Sequence, residues 1–206
     1  MIYGTAPKVI GEVEVNDPEM MFVQYMPVVM PGESLRVPAH LACFRGLIIQ
    51  AMQDSATVLG ESVTDFYVYL TAKHLYVTPD NMGNRPGWHT DGFGTDDLNY
   101  IWCDAAPTEF CIQDFQITDD CEVSMREMEE QALEENIVTY PVGHLLRLDA
   151  GVVHRVSESG TAGYRTFVKV SMSRDKYNLR GNAHNYLFDY NWAMFDRAVT
   201  RNHPAM

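Results

Sequence analysis

The chain has 206 residues, of which 46% are hydrophobic and 21% are charged, and its net charge at pH 7 is −13. This balance excludes wholesale disorder and supplies enough apolar side chains for a substantial core. Because no apolar run reaches 18 residues and no charged-then-apolar leader is present, we expect a cytoplasmic protein without membrane association.

The first 60 residues predict strands followed by a helix. Residues 9–15 alternate in polarity, and residues 21–30 are apolar but interrupted by Pro27. Pro38 suits the first turn of a helix. The apolar face of that helix contains Leu41, Phe44, Ile48 and Met52. This spacing predicts a helix that covers the outer face of a sheet.

Residues 65–80 are rich in aromatic and β-branched side chains and predict one or two strands. Alternate residues of a strand share a face. One face carries side chains that end in hydroxyl or amino groups: Tyr67, Tyr69, Thr71 and Lys73. Tyr69 and Lys73 are therefore candidates for a binding cavity inside the sheet.

The segment PGWHTDGFG, residues 86–94, contains a His-x-Asp pair. On a strand, His89 and Asp91 face the same side while Thr90 faces away. The glycines around the pair indicate a strand that ends in a tight turn. Trp88 lies beside the first histidine and is a further candidate for the substrate side. We expect the loop 92–97 to fold over the mouth of a cavity.

Residues 98–102 and 109–117 predict two strands, and Ser124 to Glu127 form a capping-box pattern that predicts the start of a helix. The apolar stripe of this helix contains Met125, Met128, Ala132 and Leu133. We expect the helix to end near Asn136.

Acidic residues are concentrated in residues 96–135, which contain thirteen of them and one basic residue, Arg126. Such a density of like charge predicts that this segment is mainly a surface excursion between core strands and is not part of the metal site. We expect replacement of Glu129 and Glu130 by Gln to leave turnover and stability nearly unaltered. Docking of a basic partner is the alternative interpretation. Bulk nucleic-acid binding is not expected, because phosphate recognition needs clustered Lys and Arg.

The last third of the chain resumes the strand pattern and carries the second histidine. Residues 137–141 and 144–149 predict strands, and His154 follows an Asp-Ala-Gly turn. Residues 165–173 form another strand that opens with Arg165. The tail from Tyr177 predicts a short helix or an extended arm that packs its aromatic rings on the core. The four cysteines form no CxxC pair, which favours a reducing compartment.

Two imidazoles and one carboxylate suit a redox-active iron(II) ion held on one face. An arginine after the second histidine suits a carboxylate ligand, because a guanidinium grips a carboxylate with two parallel hydrogen bonds. The order and spacing of His89, Asp91, His154 and Arg165 resemble those of the non-haem iron, 2-oxoglutarate-dependent oxygenases. The resemblance covers about residues 66–173.

The resemblance implies a mainly β fold with flanking helices around a double-stranded β-helix core, also called a jelly-roll or cupin-like core. We expect one domain, 1–206. It comprises N-terminal strands with a supporting helix at 1–60, the core at 66–173 and a C-terminal arm at 174–206. Periodicity alone does not distinguish this core from another sandwich.

For the site, the resemblance implies Fe(II) bound by His89, Asp91 and His154. It also implies 2-oxoglutarate, with its far carboxylate on Arg165 and polar contacts from Asn99 and Tyr100. The activity implied is a dioxygenase that hydroxylates an unidentified small molecule or side chain and releases succinate and CO2, with ascorbate as a supporting reductant. Substrate and oligomeric state are not readable from the sequence.

One departure weakens the cosubstrate assignment. Some branches of the family have Arg-x-Ser, whereas this chain has Thr166 and Phe167 after Arg165. Lys169 and Lys73 are the next candidates for the carboxylate. A first alternative is a cupin-like metalloenzyme that uses the same three ligands without 2-oxoglutarate. A second is a non-enzymatic jelly roll, a binding or structural module in which the three ligands never meet.

Overall fold

The structure is a computed structural model that describes residues 1–16, 18–157 and 161–197, so the last nine residues of the expected arm lie outside the described residues. The strands are β1 (Lys8–Glu12), β2 (Met21–Val29), β3 (Tyr67–Val77), β4 (Leu98–Cys103), β5 (Glu109–Cys111), β6 (Ile137–Thr139), β7 (His144–Leu148), β8 (His154–Arg155) and β9 (Gly163–Ser173). The α-helices are α1 (Arg45–Leu59) and α2 (Cys121–Gln131), and short 3-10 helices span Ala39–Phe44, Val63–Asp65 and Glu134–Asn136.

Two antiparallel sheets form the core. The larger sheet has the strand order β1-β7-β4-β9-β3-β2, and the smaller has the order β6-β5-β8. His89 adds a single-residue bridge to His154 at the edge of the smaller sheet. From β3 onwards the chain visits both sheets repeatedly, which is the topology of a double-stranded β-helix. The expected fold class is therefore confirmed.

Strand alternation separates an inner apolar layer from an outer one. Inside, Ile101, Leu146 and Phe167 of the larger sheet pack against Phe110 of the smaller sheet. Outside, Leu70, Tyr100 and Val170 pack under α1 with its Leu47, Ile48 and Ala51. The helix covers the outer face, as its apolar spacing predicted, and it ends at Gly60, whose φ is 65°.

The α2 helix begins before the expected capping box. Asp120 is its N-cap, and the carboxylate accepts hydrogen bonds from the backbone N–H groups of Val123 and Glu122, which lower the pKa of Asp120. A carboxylate here also complements the helix dipole, so Asp120 outcompetes Ser124 as the cap. The helix ends at Gln131, and Leu133 of the expected stripe is 49% exposed.

The C-terminal arm is extended, and no helix forms in its described part. It is anchored by Asn185, which is fully buried and donates hydrogen bonds to the carbonyl oxygens of Pro27 and Arg36. Tyr177 and Phe188 are also buried, as expected for an arm that packs aromatic rings on the core. All four cysteines are free thiols. No helix of the described residues combines the length and apolarity needed to cross a membrane.

The neighbouring residues Ile48 and Ile49 give a matched test of the outer layer. Ile48 is fully buried against the larger sheet, whereas Ile49 is 37% exposed. We expect Ile48→Ala to lower the free energy of unfolding by about 2–5 kcal/mol because it leaves a cavity. Ile49→Ala should change it by less than about 0.5 kcal/mol. Equal effects in urea unfolding would contradict the assignment of the buried face.

Candidate metal centre

The two histidines of the site are joined directly by backbone hydrogen bonds. The His89 N–H donates to the His154 carbonyl over 3.0 Å, and the His154 N–H donates to the His89 carbonyl over 2.9 Å. This reciprocal pairing holds the two side chains at one level of the smaller sheet. Asp91 follows at the start of a turn that continues through Gly92, whose φ is 70°. A side chain at Gly92 would be strained and would crowd Thr95 and Asp97.

The three side chains converge. One ligand atom from each of His89, Asp91 and His154 lies within 4.8 Å of the others. The Nδ1 atoms of the two rings lie 2.9 Å from the Gly87 carbonyl and 3.0 Å from the Val152 carbonyl. Because a carbonyl only accepts, each Nδ1 must donate, which leaves each Nε2 lone pair for a metal. The second alternative assumed that these ligands never meet, and their convergence contradicts that premise.

Electrostatics keep the first ligand neutral. Burial, followed by the adjacent His154 ring, lowers the pKa of His89 to about 3. The Nε2 lone pair of His89 is therefore available throughout the physiological range. A neutral imidazole is the form that binds metal ions.

Asp91 carries the negative charge of the site. Burial alone would raise its pKa, but Lys169 and the two histidines hold the pKa well below the usual range. The Lys169 Nζ donates to Asp91 Oδ2 over 3.1 Å and to the Tyr25 hydroxyl over 2.9 Å. Burial opposes the ammonium charge, yet Asp91 and Tyr25 raise the pKa of Lys169. A bound cation would compete with Lys169 for this carboxylate.

The triad faces a cavity of about 360 Å³. Four basic residues line it: Lys73, Arg85, Arg155 and Lys169. Arg155 is paired with Glu109 at 2.8 Å. Lys73 donates only to the Gly83 carbonyl and the Asn84 side chain among the described residues. Burial, with repulsion from Lys169 and Arg165, lowers its pKa to about 8. The cavity is thus more basic than the acidic chain around it.

Two of the other candidate residues for cosubstrate or substrate binding lie on the face that lines the cavity. Lys73 and Asn99 line the cavity. Asn99 Oδ1 accepts from the Ser171 hydroxyl at 2.6 Å, while its buried Nδ2 has no partner in the described residues.

Three candidates do not reach the cavity. Tyr100 is adjacent to Asn99 and therefore points to the outer layer, where its hydroxyl donates to Asp54. Trp88 packs in an apolar cluster with Met128 and Val153. Tyr69 shares the inner face but is fully buried, because Tyr177 stacks on it at a ring-centroid distance of 4.2 Å.

Arg165 lies beyond the cavity lining. Arg165 is 2% exposed, and its guanidinium donates from Nε to the Ala105 carbonyl and from Nη1 to the Met82 carbonyl. Its Nη2 is buried without a partner in the described residues, so this side chain retains an unused donor. Its role as the carboxylate anchor stays a prediction, and the two other candidate anchors, Lys73 and Lys169, line the cavity.

Two details near the triad correct the sequence interpretation. Thr90 was expected to face away, but it is buried and lines the cavity, because the chain turns at Asp91 instead of continuing as a strand.

Within the acidic segment, Asp97 lines the cavity, and Glu109 is buried as the partner of Arg155. Exposed Glu129 accepts a hydrogen bond from the Trp88 N–H, so it supports the segment that carries His89. Glu130 is exposed, as expected.

Tyr25, Asp97 and Tyr177 line the cavity without having been singled out in the sequence. Asp97 and Tyr177 are joined by a hydrogen bond of 2.6 Å between residues far apart in the chain, for which no local signal exists. The sequence offers one signal near Tyr25: Pro27 interrupts the apolar run 21–30, which indicates an irregular strand.

No protein-family model and no curated protein matches the chain. Similar solved structures include an oxidoreductase of the 2OG-Fe(II) oxygenase family from Burkholderia pseudomallei, with 10% identity, coverage of 84% of this chain and 75% of that one, and a TM-score of 0.43. EvdO2 from Micromonospora carbonacea var. aurantiaca has 16% identity, coverage of 66% and 60%, and a TM-score of 0.39. The rice dioxygenase for auxin oxidation has 18% identity, coverage of 68% and 48%, and a TM-score of 0.36.

The structure from Burkholderia pseudomallei is described as a member of the family that the motifs resemble, and its identity to this chain is 10%. All three TM-scores are below 0.5. The chemistry of the site is therefore interpreted from its own side chains. Two imidazoles and a carboxylate that converge on a cavity can bind one divalent transition-metal ion and leave its other positions open.

Replacement of one histidine tests the metal centre. We expect His154→Ala to abolish tight binding of one equivalent of iron(II) or cobalt(II), because two ligands remain. His144→Ala is the matched control, since His144 belongs neither to the cluster nor to the cavity lining, and its Nδ1 lies 3.3 Å from the Val142 carbonyl oxygen. Isothermal titration and cobalt absorption spectra measure the binding. Unchanged stoichiometric binding in His154→Ala would show that the ion lies elsewhere.

Proposed function

We propose that the protein is an iron(II)- and 2-oxoglutarate-dependent oxygenase that hydroxylates a small molecule or an exposed side chain. The observation that carries this proposal is the convergence of His89, Asp91 and His154 on a cavity with basic walls. When bound, the metal and 2-oxoglutarate supply the oxidation of a substrate carbon by dioxygen, with release of succinate and CO2. The chain supplies binding, orientation and exclusion of water.

His89, Asp91 and His154 would hold the iron. Their donor set fits a redox-active divalent metal better than Mg²⁺ or Ca²⁺, which prefer oxygen ligands alone. The backbone carbonyls of Gly87 and Val152 fix both imidazoles in the tautomer that presents Nε2. This preorganisation supports a resident metal, because the rings need no rearrangement to bind it.

The cations of the cavity would hold the two carboxylates of 2-oxoglutarate. Lys169 contacts Asp91 and thus lies beside the metal position. Lys73 is half-buried and has no carboxylate within salt-bridge distance in the described residues, so an anionic ligand would relieve its repulsion from Lys169 and Arg165. Asn99 lines the cavity, and its buried Nδ2 has no partner among the described residues, so an oxygen-rich ligand would satisfy this donor.

The walls of the cavity would orient the substrate and limit access of water. Phe22, Phe93 and Phe167 contribute apolar surface beside the triad. A volume of about 360 Å³ lies within the usual range for small-ligand pockets. It supports a substrate that is small or enters as a single side chain.

Turnover without a substrate is the direct test. Purified protein incubated with iron(II), ascorbate, 2-oxoglutarate and dioxygen should release succinate slowly, and His154→Ala should release none above background. Succinate is measured by mass spectrometry, and addition of candidate metabolites should raise the rate. Tight iron binding without any succinate release would favour the cupin-like alternative.

Affinity for 2-oxoglutarate distinguishes the candidate carboxylate anchors. We expect Lys73→Met to weaken binding about 10- to 100-fold, because a charged hydrogen bond contributes about 1.5–3 kcal/mol. Arg165→Lys should weaken binding if the guanidinium fork of Arg165 anchors the carboxylate. Anaerobic titration of the metal-loaded protein measures the dissociation constant. Unchanged affinity in Arg165→Lys would exclude Arg165 as the anchor.

The pH dependence of the same titration tests Lys73 separately. Its pKa of about 8 lies below the usual lysine value, so its positive charge is lost as the pH rises through 8. Wild-type affinity for 2-oxoglutarate should therefore fall between about pH 7 and 9. Lys73→Arg should remove most of this dependence, since arginine stays protonated. An equally steep fall in Lys73→Arg would assign the titration to another group.

A further inference from the structure

A connected row of aromatic side chains runs from the metal centre to the surface. Adjacent ring centroids are separated by 5.2, 4.2, 5.9, 5.7 and 4.6 Å. We name this row the tyrosine array; in order it comprises Tyr25, Tyr177, Tyr69, Tyr67, Trp192 and Tyr190. Each step is in ring contact, so an electron could move along the array in short steps.

The inner end of the array is linked to the metal centre by two hydrogen bonds. The Lys169 Nζ donates to the Tyr25 hydroxyl over 2.9 Å and to Asp91 over 3.1 Å. Tyr25 has a φ of 46°, and it lies where the register of β2 shifts between Val23 and Met26. A left-handed backbone at a non-glycine residue costs about 1–2 kcal/mol. The fold thus maintains a strained position that directs this phenol into the cavity.

The second member of the array has a proton acceptor in place. The Tyr177 hydroxyl donates to Asp97 Oδ2 over 2.6 Å, and both residues are buried. Burial raises the pKa of Asp97 despite hydrogen bonds from Ser173 and Tyr177, so its carboxylate is a stronger base than an exposed one. A phenol gives up an electron readily only when its proton leaves at the same time. Asp97 is positioned to accept that proton.

The outer end of the array is accessible. Tyr67, Trp192 and Tyr190 are half-buried, and the His184 ring stacks on Tyr190 at 4.2 Å. Tyr186 contacts His184 and is 89% exposed. A small reductant in solution can therefore approach this end.

Packing alone does not require this composition. The chain has 9 phenylalanines and 11 tyrosines, yet no member of the array is phenylalanine. A phenylalanine ring would fill the same space without a hydroxyl that must be hydrogen-bonded when buried. The array uses the two residue types whose side chains are most readily oxidised by one electron among the aromatics.

We propose that the tyrosine array is an electron relay that protects the metal centre during turnover without substrate, an inference that rests on the proposed function. Tyr177 would lose one electron through Tyr25 to the metal centre, the O–H bond of Tyr177 would break, and its proton would move to Asp97 Oδ2. An electron from an ascorbate-class reductant then returns through Trp192, Tyr67 and Tyr69. The proton would return from Asp97 to Tyr177, so the net change is one-electron oxidation of the reductant and one-electron reduction of the oxidant at the metal centre.

The relay is tested by trapping radicals in the iron(II)-loaded protein. One arm uses dioxygen with 2-oxoglutarate and no substrate; the other uses hydrogen peroxide without 2-oxoglutarate, which generates an oxidant at bound iron independently of the proposed reaction. Rapid freeze-quench electron paramagnetic resonance measures the tyrosyl radical. Peptide mass spectrometry measures oxidative damage around His89 and His154.

We expect a tyrosyl radical in the wild-type protein that decays faster when ascorbate is added. Tyr177→Phe should reduce the radical severalfold and increase damage at the metal centre. Trp192→Phe should retain the radical but slow its decay with ascorbate. Tyr164→Phe is the matched control, because Tyr164 is 61% exposed and lies outside the array, and it should behave as wild type. Asp97→Asn gives a second variant that retains the Tyr177 phenol but removes its proton acceptor, and it should also reduce the radical.

The two arms separate the relay from the proposed function. If iron is bound but peroxide yields no radical, or if Tyr177→Phe and Asp97→Asn leave the radical unchanged, the relay is wrong and the oxygenase proposal stands. If peroxide yields the Tyr177-dependent radical but 2-oxoglutarate is never consumed, the relay holds and the oxygenase proposal is wrong.

Discussion

The candidate site depends on one pair of backbone hydrogen bonds, those that join His89 to His154. The pair is an isolated bridge, yet it holds together two ligands from distant parts of the chain. Its geometry also fixes the rings, because each Nδ1 is held by a nearby carbonyl oxygen. The double-stranded β-helix places this bridge at the edge of the smaller sheet. There the side chains face the interior while the Gly92 turn brings in Asp91.

Around the triad, buried charges are balanced in a short network. Asp91 is neutralised by Lys169, whose ammonium also contacts Tyr25. Breaking one partner of such a buried pair leaves an uncompensated charge, which is far more costly than exchange for another cation. A metal ion bound by the triad would replace Lys169 as the cationic partner of Asp91 and would free the Lys169 ammonium for an anionic ligand. The basic cavity in an acidic chain follows from this local balance, and the net charge of −13 does not describe it.

The acidic segment shows how charge density misleads when contacts are unknown. Most of α2 presents acids to solvent, but Glu129 reaches the Trp88 N–H next to the first ligand. Met128, on the same helix, is fully buried against the cluster that contains Trp88. The helix therefore supports the wall of the smaller sheet behind the triad. Most acidic side chains of this helix face solvent, whereas Met128 and Glu129 contact the segment that carries the first ligand.

The sequence by itself determined the strand pattern, the covering helix and the three metal-ligand candidates, because periodicity and residue chemistry are local properties. It also predicted that Lys73 faces the interior, whereas it named both Asn99 and the adjacent Tyr100 as candidates without deciding between their faces. Only the tertiary structure decided that Tyr100 points outward, that Arg165 lies beyond the cavity and that Asp97 meets Tyr177. These outcomes depend on bulges, turns and contacts between distant segments. Strand alternation predicts two faces for each strand. The packing of the two sheets decides which face lines the cavity and at which residue the chain leaves the sheet.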